Sequence, residues 1–140
     1  MANANAALPF LDTNILLRHL TGDNPEHSPR ATALFSSIEA GQLKVHINDV
    51  VIFETVYTLE RIYHQEKRAI RDALALILSL PGIILPKKQR LVAVLDLYAA
   101  KNLPFADAYF ALAMRDLKTD TIISFDHHFD RIEGIARREP

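Results

Sequence analysis

Four short apolar runs, separated by longer stretches of helical spacing, constrain this chain more than any other feature. Residues 8–11, 43–47, 83–85 and 121–125 read as strands, too short for helices and apolar on both faces. Between them, apolar residues recur at three- and four-residue steps: Ala31, Leu34, Phe35 and Ile38; Ile52, Phe53, Val56 and Leu59; Ile70, Leu74, Ile77 and Leu78; Leu91, Val94, Leu95 and Tyr98. A short helix is expected over 15–20, ended by Gly22-Asp23-Asn24-Pro25. Gly41 suits a helix C-terminus, Pro81-Gly82 a stop, and Pro104 the first turn of a helix over 105–117. The tail has room for a short helix and an edge strand. Short apolar strands joined through helices imply a parallel sheet with both faces covered. The expected fold is α/β, a three-layer α/β/α sandwich with a mostly parallel central sheet.

With 140 residues, the chain suits one domain, with about residues 1–7 expected as a disordered N-terminal extension. Hydrophobic residues make up 49% and charged residues 24%, which argues against disorder elsewhere. No apolar run reaches the ~18 residues of a membrane span, and no secretory signal is legible, so a cytoplasmic location is expected. The absence of cysteine excludes disulfides and thiolate chemistry. A formal charge of −1 excludes nucleic-acid binding by bulk electrostatics, unless acids gather in one cleft and leave the other surfaces net positive.

Parallel sheets bind ligands beyond the carboxyl ends of their strands. Asp12 follows the first expected strand and Asp126 the fourth; Asp107 falls in the first turn of a helix, and Glu54 near the start of the helix after strand two. Singly, the three aspartates could be helix caps or first-turn acids. Glu54 lies in Val50-Val51-Ile52-Phe53-Glu54-Thr55-Val56-Tyr57, with no basic residue within four positions, where a buried carboxylate would need a partner or a metal. Converging carboxylates repel one another unless a cation neutralises them. Mg²⁺ and Mn²⁺ prefer such oxygen donors, and one or two of these ions can activate water and orient a phosphodiester. Phosphate-loop, dinucleotide-binding and nucleophile-elbow motifs are absent from the sequence. His127 and His128 are adjacent, a poor spacing for a zinc pair, and read as exposed surface residues.

Phe10-Leu11-Asp12-Thr13-Asn14, Phe53-Glu54-Thr55-Val56-Tyr57-Thr58-Leu59-Glu60-Arg61, Phe105-Ala106-Asp107-Ala108 and Ser124-Phe125-Asp126 resemble, in order and spacing, the four blocks of PIN-domain ribonucleases. The chain is most similar to the VapC toxins of toxin–antitoxin pairs. The resemblance implies a PIN-like sandwich and a Mg²⁺- or Mn²⁺-dependent endoribonuclease with Asp12, Glu54, Asp107 and Asp126 as catalytic, metal-binding acids. It implies Asn14 and Ser124 as polar helpers and Asp130 as a further acid. It also implies an RNA substrate, a cognate antitoxin whose arginine pairs with the acids, and a homodimer.

Arg18, Lys87, Lys88, Arg90, Arg137 and Arg138 are the candidate phosphate contacts. No exposed aromatic platform for bases is evident. A non-catalytic PIN-like module that binds RNA or protein, and a housekeeping RNA-processing nuclease without an antitoxin, are the alternatives. A receiver-type phosphoryl-transfer domain fits less well, because no lysine accompanies Ser124-Phe125-Asp126.

Overall fold

A computed structural model describes residues 7–140. The expected extension over residues 1–7 lies outside these residues, apart from Ala7. Elements follow in the order α1 (Thr13–Thr21), α2 (His27–Glu39), β1 (Val45–His46), α3 (Asp49–Arg61), α4 (Lys67–Leu78), β2 (Ile83–Ile84), α5 (Lys88–Ala100), α6 (Phe105–Leu117), β3 (Thr121–Ile123), a 3₁₀ helix (His127–Arg131) and β4 (Ala136–Arg138). Every strand pair is parallel. β1 pairs with β2 in the register Val45↔Ile83, a single bridge joins Phe10 to His46, and β3 pairs with β4 as Thr121↔Ala136. The α/β class and parallel pairing agree with the sequence reading. No helix among the described residues is long and apolar enough to cross a membrane.

The helices begin and end where local chemistry dictates. Asp12 caps α1 by accepting from the Thr13 amide at 2.9 Å, and Gly22, at φ 63°, closes it with a bond to the Arg18 carbonyl. Asn48 caps α3 by accepting from the Val51 amide at 3.3 Å. The predicted stripes then face inward: Ile70 and Leu74 of α4, and Val94, Leu95 and Tyr98 of α5, are fully buried.

The strands are shorter than the apolar runs suggested, for two local reasons. Near the first run, Leu8 and Phe10 are exposed and only Leu11 is buried, so one bridge forms there. After β3, the Ser124 hydroxyl accepts from the Asp126 amide at 2.9 Å and turns the chain out of extended geometry. Thr121 and Ile123 are exposed, so β3 is not the strand buried on both faces that its composition implied.

A polar device sits inside the core. Tyr98 is fully buried, donates its hydroxyl to Glu60 at 3.1 Å, and has the Lys67 ammonium 4.6 Å from its ring centre. Lys67 also pairs with Glu60 at 3.5 Å. Burial and the adjacent Glu60 charge push the Tyr98 phenol well above its ordinary pKa, so it stays a donor. Tyr98→Phe keeps the packing and removes that donor, and should cost ~1–2 kcal/mol in urea unfolding. An unchanged midpoint would show that Lys67 alone satisfies Glu60.

Candidate active site

Parallel pairing of the Phe10 segment, β1 and β2 directs their carboxyl ends to one edge, where Asp12 and the N-terminus of α3 lie. A cluster with one buried member, Asp107, forms from two further elements. α6 starts after Pro104, whose carbonyl accepts from the Asp107 and Ala108 amides and winds Asp107 into the first turn. Asp107 is only 8% exposed. Asp126 caps the 3₁₀ helix, accepting from the His128 amide at 2.9 Å. That cap folds the His128 ring back over the same carboxylate.

The three side chains converge. His128 Nδ1 stands 2.7 Å from an Asp126 oxygen and 3.4 Å from Asp107 Oδ2. Among the described residues, these three form the one group of potential metal donors whose ligand atoms all lie within 4.8 Å of one another. Asp107 Oδ2 and His128 Nδ1 are buried and make no hydrogen bond, so their close approach is not a directed one. Burial, reinforced by the Asp126 charge, raises the Asp107 pKa. The His128 amide, aided by the His128 ring, holds Asp126 below the ordinary carboxylate range. Two carboxylates and an imidazole nitrogen gathered this closely, with Asp107 Oδ2 lacking a hydrogen-bond partner, fit a divalent cation: the carboxylates supply hard, anionic oxygens and the imidazole a neutral nitrogen.

Asp12 and Glu54 do not join this group within 4.8 Å. Asp12 is exposed at the end of its strand and committed to its cap. Glu54 is exposed on α3 and, among the described residues, has no hydrogen-bond or ion-pair partner. Contrary to the sequence expectation, its apolar neighbours do not desolvate it: Val50, Glu54, Tyr57 and Arg61 share one exposed helix face, while Val51, Ile52, Thr55 and Val56 point inward.

Ser124 steers Asp126 through the turn already described, whereas Asn14 is exposed in a groove between α1 and α2 with Arg18, His27 and Arg30. Asp130 is turned to Arg137 and His127, at 3.1 Å each, and Arg137 lowers its pKa most. The candidate phosphate contacts divide by occupancy. Arg18 pairs with Asp23 at 3.2 Å, Lys88 donates to the Leu80 and Ile83 carbonyls, and Arg90 reaches the Leu112 carbonyl and Asp116. Arg137 holds Asp130, Glu139 and the Ser124 carbonyl. The Lys87 and Arg138 side chains have no such partner among the described residues.

Two features escaped the sequence reading. His128 lies in the cluster, not free on the surface; its signal was a position two residues past a capping aspartate, which brings ring and carboxylate together. Aromatic surface also exists: Tyr57 is 64% exposed and Phe125 71%. Tyr57 and His128 both line a hollow of about 350 Å³ that also contains Arg61 and Lys67. A separate cavity of about 560 Å³, lined by Val50, Leu85, Leu91, Tyr109 and Leu117, contains none of the cluster.

The chain has relatives in sequence. The VapC ribonuclease of Aquifex aeolicus (strain VF5) is 24% identical over 125 residues, covering 89% of this chain and 92% of that protein. The family model of the PIN domain matches residues 10–135, a span that contains the cluster and every paired segment except β4. The chain belongs to the PIN domain family.

Proposed function

We propose that this PIN domain is a divalent-metal-dependent endoribonuclease, hydrolysing RNA phosphodiesters with Asp12, Glu54, Asp107 and Asp126. The observation that carries the reading is the buried, unpartnered Asp107 carboxylate beside Asp126, which a polar core would not leave uncompensated without a charged ligand. Asp107 and Asp126 would hold Mg²⁺ or Mn²⁺, one ion or two, with Asp12 and Glu54 at the rim of the same edge. When bound, the cation supplies Lewis-acid polarisation of water and phosphate.

The chain's own groups do the positioning. Ser124 fixes the turn that presents Asp126, and the Arg137 bond to the Ser124 carbonyl braces that turn from β4. The hollow lined by Tyr57, Arg61, Lys67 and His128 offers a stacking face and positive charge for a strand entering the site. Hydrolysis leaves one fragment with the phosphate and the other with a hydroxyl.

The likeness to a VapC ribonuclease supports the role of a toxin with a cognate antitoxin, acting in the cytoplasm. An antitoxin arginine would suit the carboxylates as a bidentate partner. Exposed Val50 on α3, with Phe110 and Leu117 on α6, supports a homodimer. Sedimentation of the antitoxin-free protein checks that assignment against the 15.8 kDa of one chain.

Structured RNA incubated with the purified protein and Mg²⁺ or Mn²⁺ should yield fragments ending in a simple phosphate and a hydroxyl. A 2′,3′-cyclic phosphate would make the RNA's own hydroxyl the nucleophile and overturn hydrolysis by water. RNA that is bound but never cut, with affinity unchanged in the acid variants, would favour the non-catalytic module.

A further inference from the structure

We propose that His128 is a nitrogen ligand of the divalent-cation site and biases it toward Mn²⁺ over Mg²⁺; this rests on Asp107 and Asp126 being the site's carboxylate ligands. The Nδ1 atom is buried, makes no well-directed hydrogen bond, and stands 2.7 Å from an Asp126 oxygen and 3.4 Å from Asp107 Oδ2, which has no hydrogen-bond partner. Neighbouring donors on an octahedral ion with bonds of ~2.1 Å stand about 3 Å apart. The observed 2.7 Å and 3.4 Å separations bracket that spacing. The approach is built in: the Asp126 cap fixes the His128 backbone at 2.9 Å, so the ring reaches the cluster without a long flexible stem. His127, its neighbour, is turned outward to Asp130 and Arg137 and has no share in the site.

The donor set determines the preference. Mg²⁺ binds oxygen and gives up water reluctantly, so an imidazole adds little to its affinity. Transition ions accept imidazole nitrogen, and two carboxylates keep the site hard enough for Mn²⁺. An all-oxygen cluster would lack this bias.

Calorimetric titration of the metal-free protein with Mn²⁺ and with Mg²⁺ tests the proposal directly. The wild type should bind Mn²⁺ at least ~10-fold more tightly than Mg²⁺. His128→Ala should lose about 10-fold in Mn²⁺ affinity and less than about threefold in Mg²⁺ affinity. His128→Gln, which keeps the bulk, should behave likewise, with circular dichroism confirming that both variants fold. Pulsed electron paramagnetic resonance of the wild-type Mn²⁺ complex gives an assay that needs no folded variant. Modulation from one directly bound imidazole nitrogen is expected. Mn²⁺ bound without that modulation, or an unchanged Mn²⁺/Mg²⁺ ratio in both variants, would overturn the role of His128 and leave the carboxylate site standing. Failure of the wild type to bind either ion would overturn both.

Discussion

Asp107→Asn is expected to lower RNA cleavage at least ~10³-fold while raising the melting temperature of the metal-free protein. The two effects share a cause. Asp107 is 8% exposed, lies beside Asp126, and leaves Oδ2 without a hydrogen bond. Burial and the neighbouring charge raise its pKa, so the folded protein holds that proton more tightly than the unfolded chain does. Stability therefore falls as pH rises from the ordinary carboxylate range through the raised pKa, because the folded state must then ionise a carboxyl it disfavours. The amide never ionises. Its advantage, roughly 2–6 °C in melting temperature, should be present at neutral pH and vanish below about pH 4. Saturating Mn²⁺ should reverse the order, stabilising the wild type and not the variant. A variant that is inactive because it unfolds, or that melts lower than the wild type without metal at neutral pH, contradicts this picture of the site.

Gly82→Ala is the smallest substitution with a large predicted structural effect. A Cβ there would stand 2.8 Å from the Leu43 carbonyl oxygen and 2.8 Å from Ile38 Cγ2. A side-chain methyl can shift, but the Leu43 carbonyl belongs to the backbone entering β1. The Gly82 carbonyl accepts from the Val45 amide at 2.8 Å, so moving this segment also loosens the β1–β2 pairing. The expected loss is ~2–3 kcal/mol, or roughly 6–10 °C in melting temperature. A melting temperature unchanged in Gly82→Ala would show that the Leu43 and Ile38 contacts relax at no cost.

The helices were legible because their signal is repeated. Leu91, Val94, Leu95 and Tyr98 state the same face several times, and all four are buried. Strand limits rest on two or three residues and on turns such as the one Ser124 makes, which no periodicity announces. Glu54 shows a second limit. Its neighbours in sequence are apolar, but at about 100° per residue the helix turns them inward and leaves the carboxylate on the exposed face. Asp107 and Asp126 lie 19 positions apart and meet only because α6 and the turn after β3 converge. His128 was missed for the same reason: its adjacency to His127 says nothing, whereas its relation to the Asp126 cap decides where the ring goes. The resemblance to family blocks pointed to the four acids, and the fold brings Asp107 and Asp126 together.

The central claim is metal-dependent hydrolysis of RNA by this chain, and one assay tests it most directly. RNA cleavage would be followed for the antitoxin-free wild type with Mn²⁺, with chelator, and after metal is restored, with Asp12→Asn and Glu54→Gln in parallel. The account predicts cleavage that stops with the chelator, returns with the metal, and is lost in both variants although neither acid lies within the Asp107–Asp126–His128 cluster. Cleavage that persists in chelator, or that survives both substitutions at the wild-type rate, would contradict it.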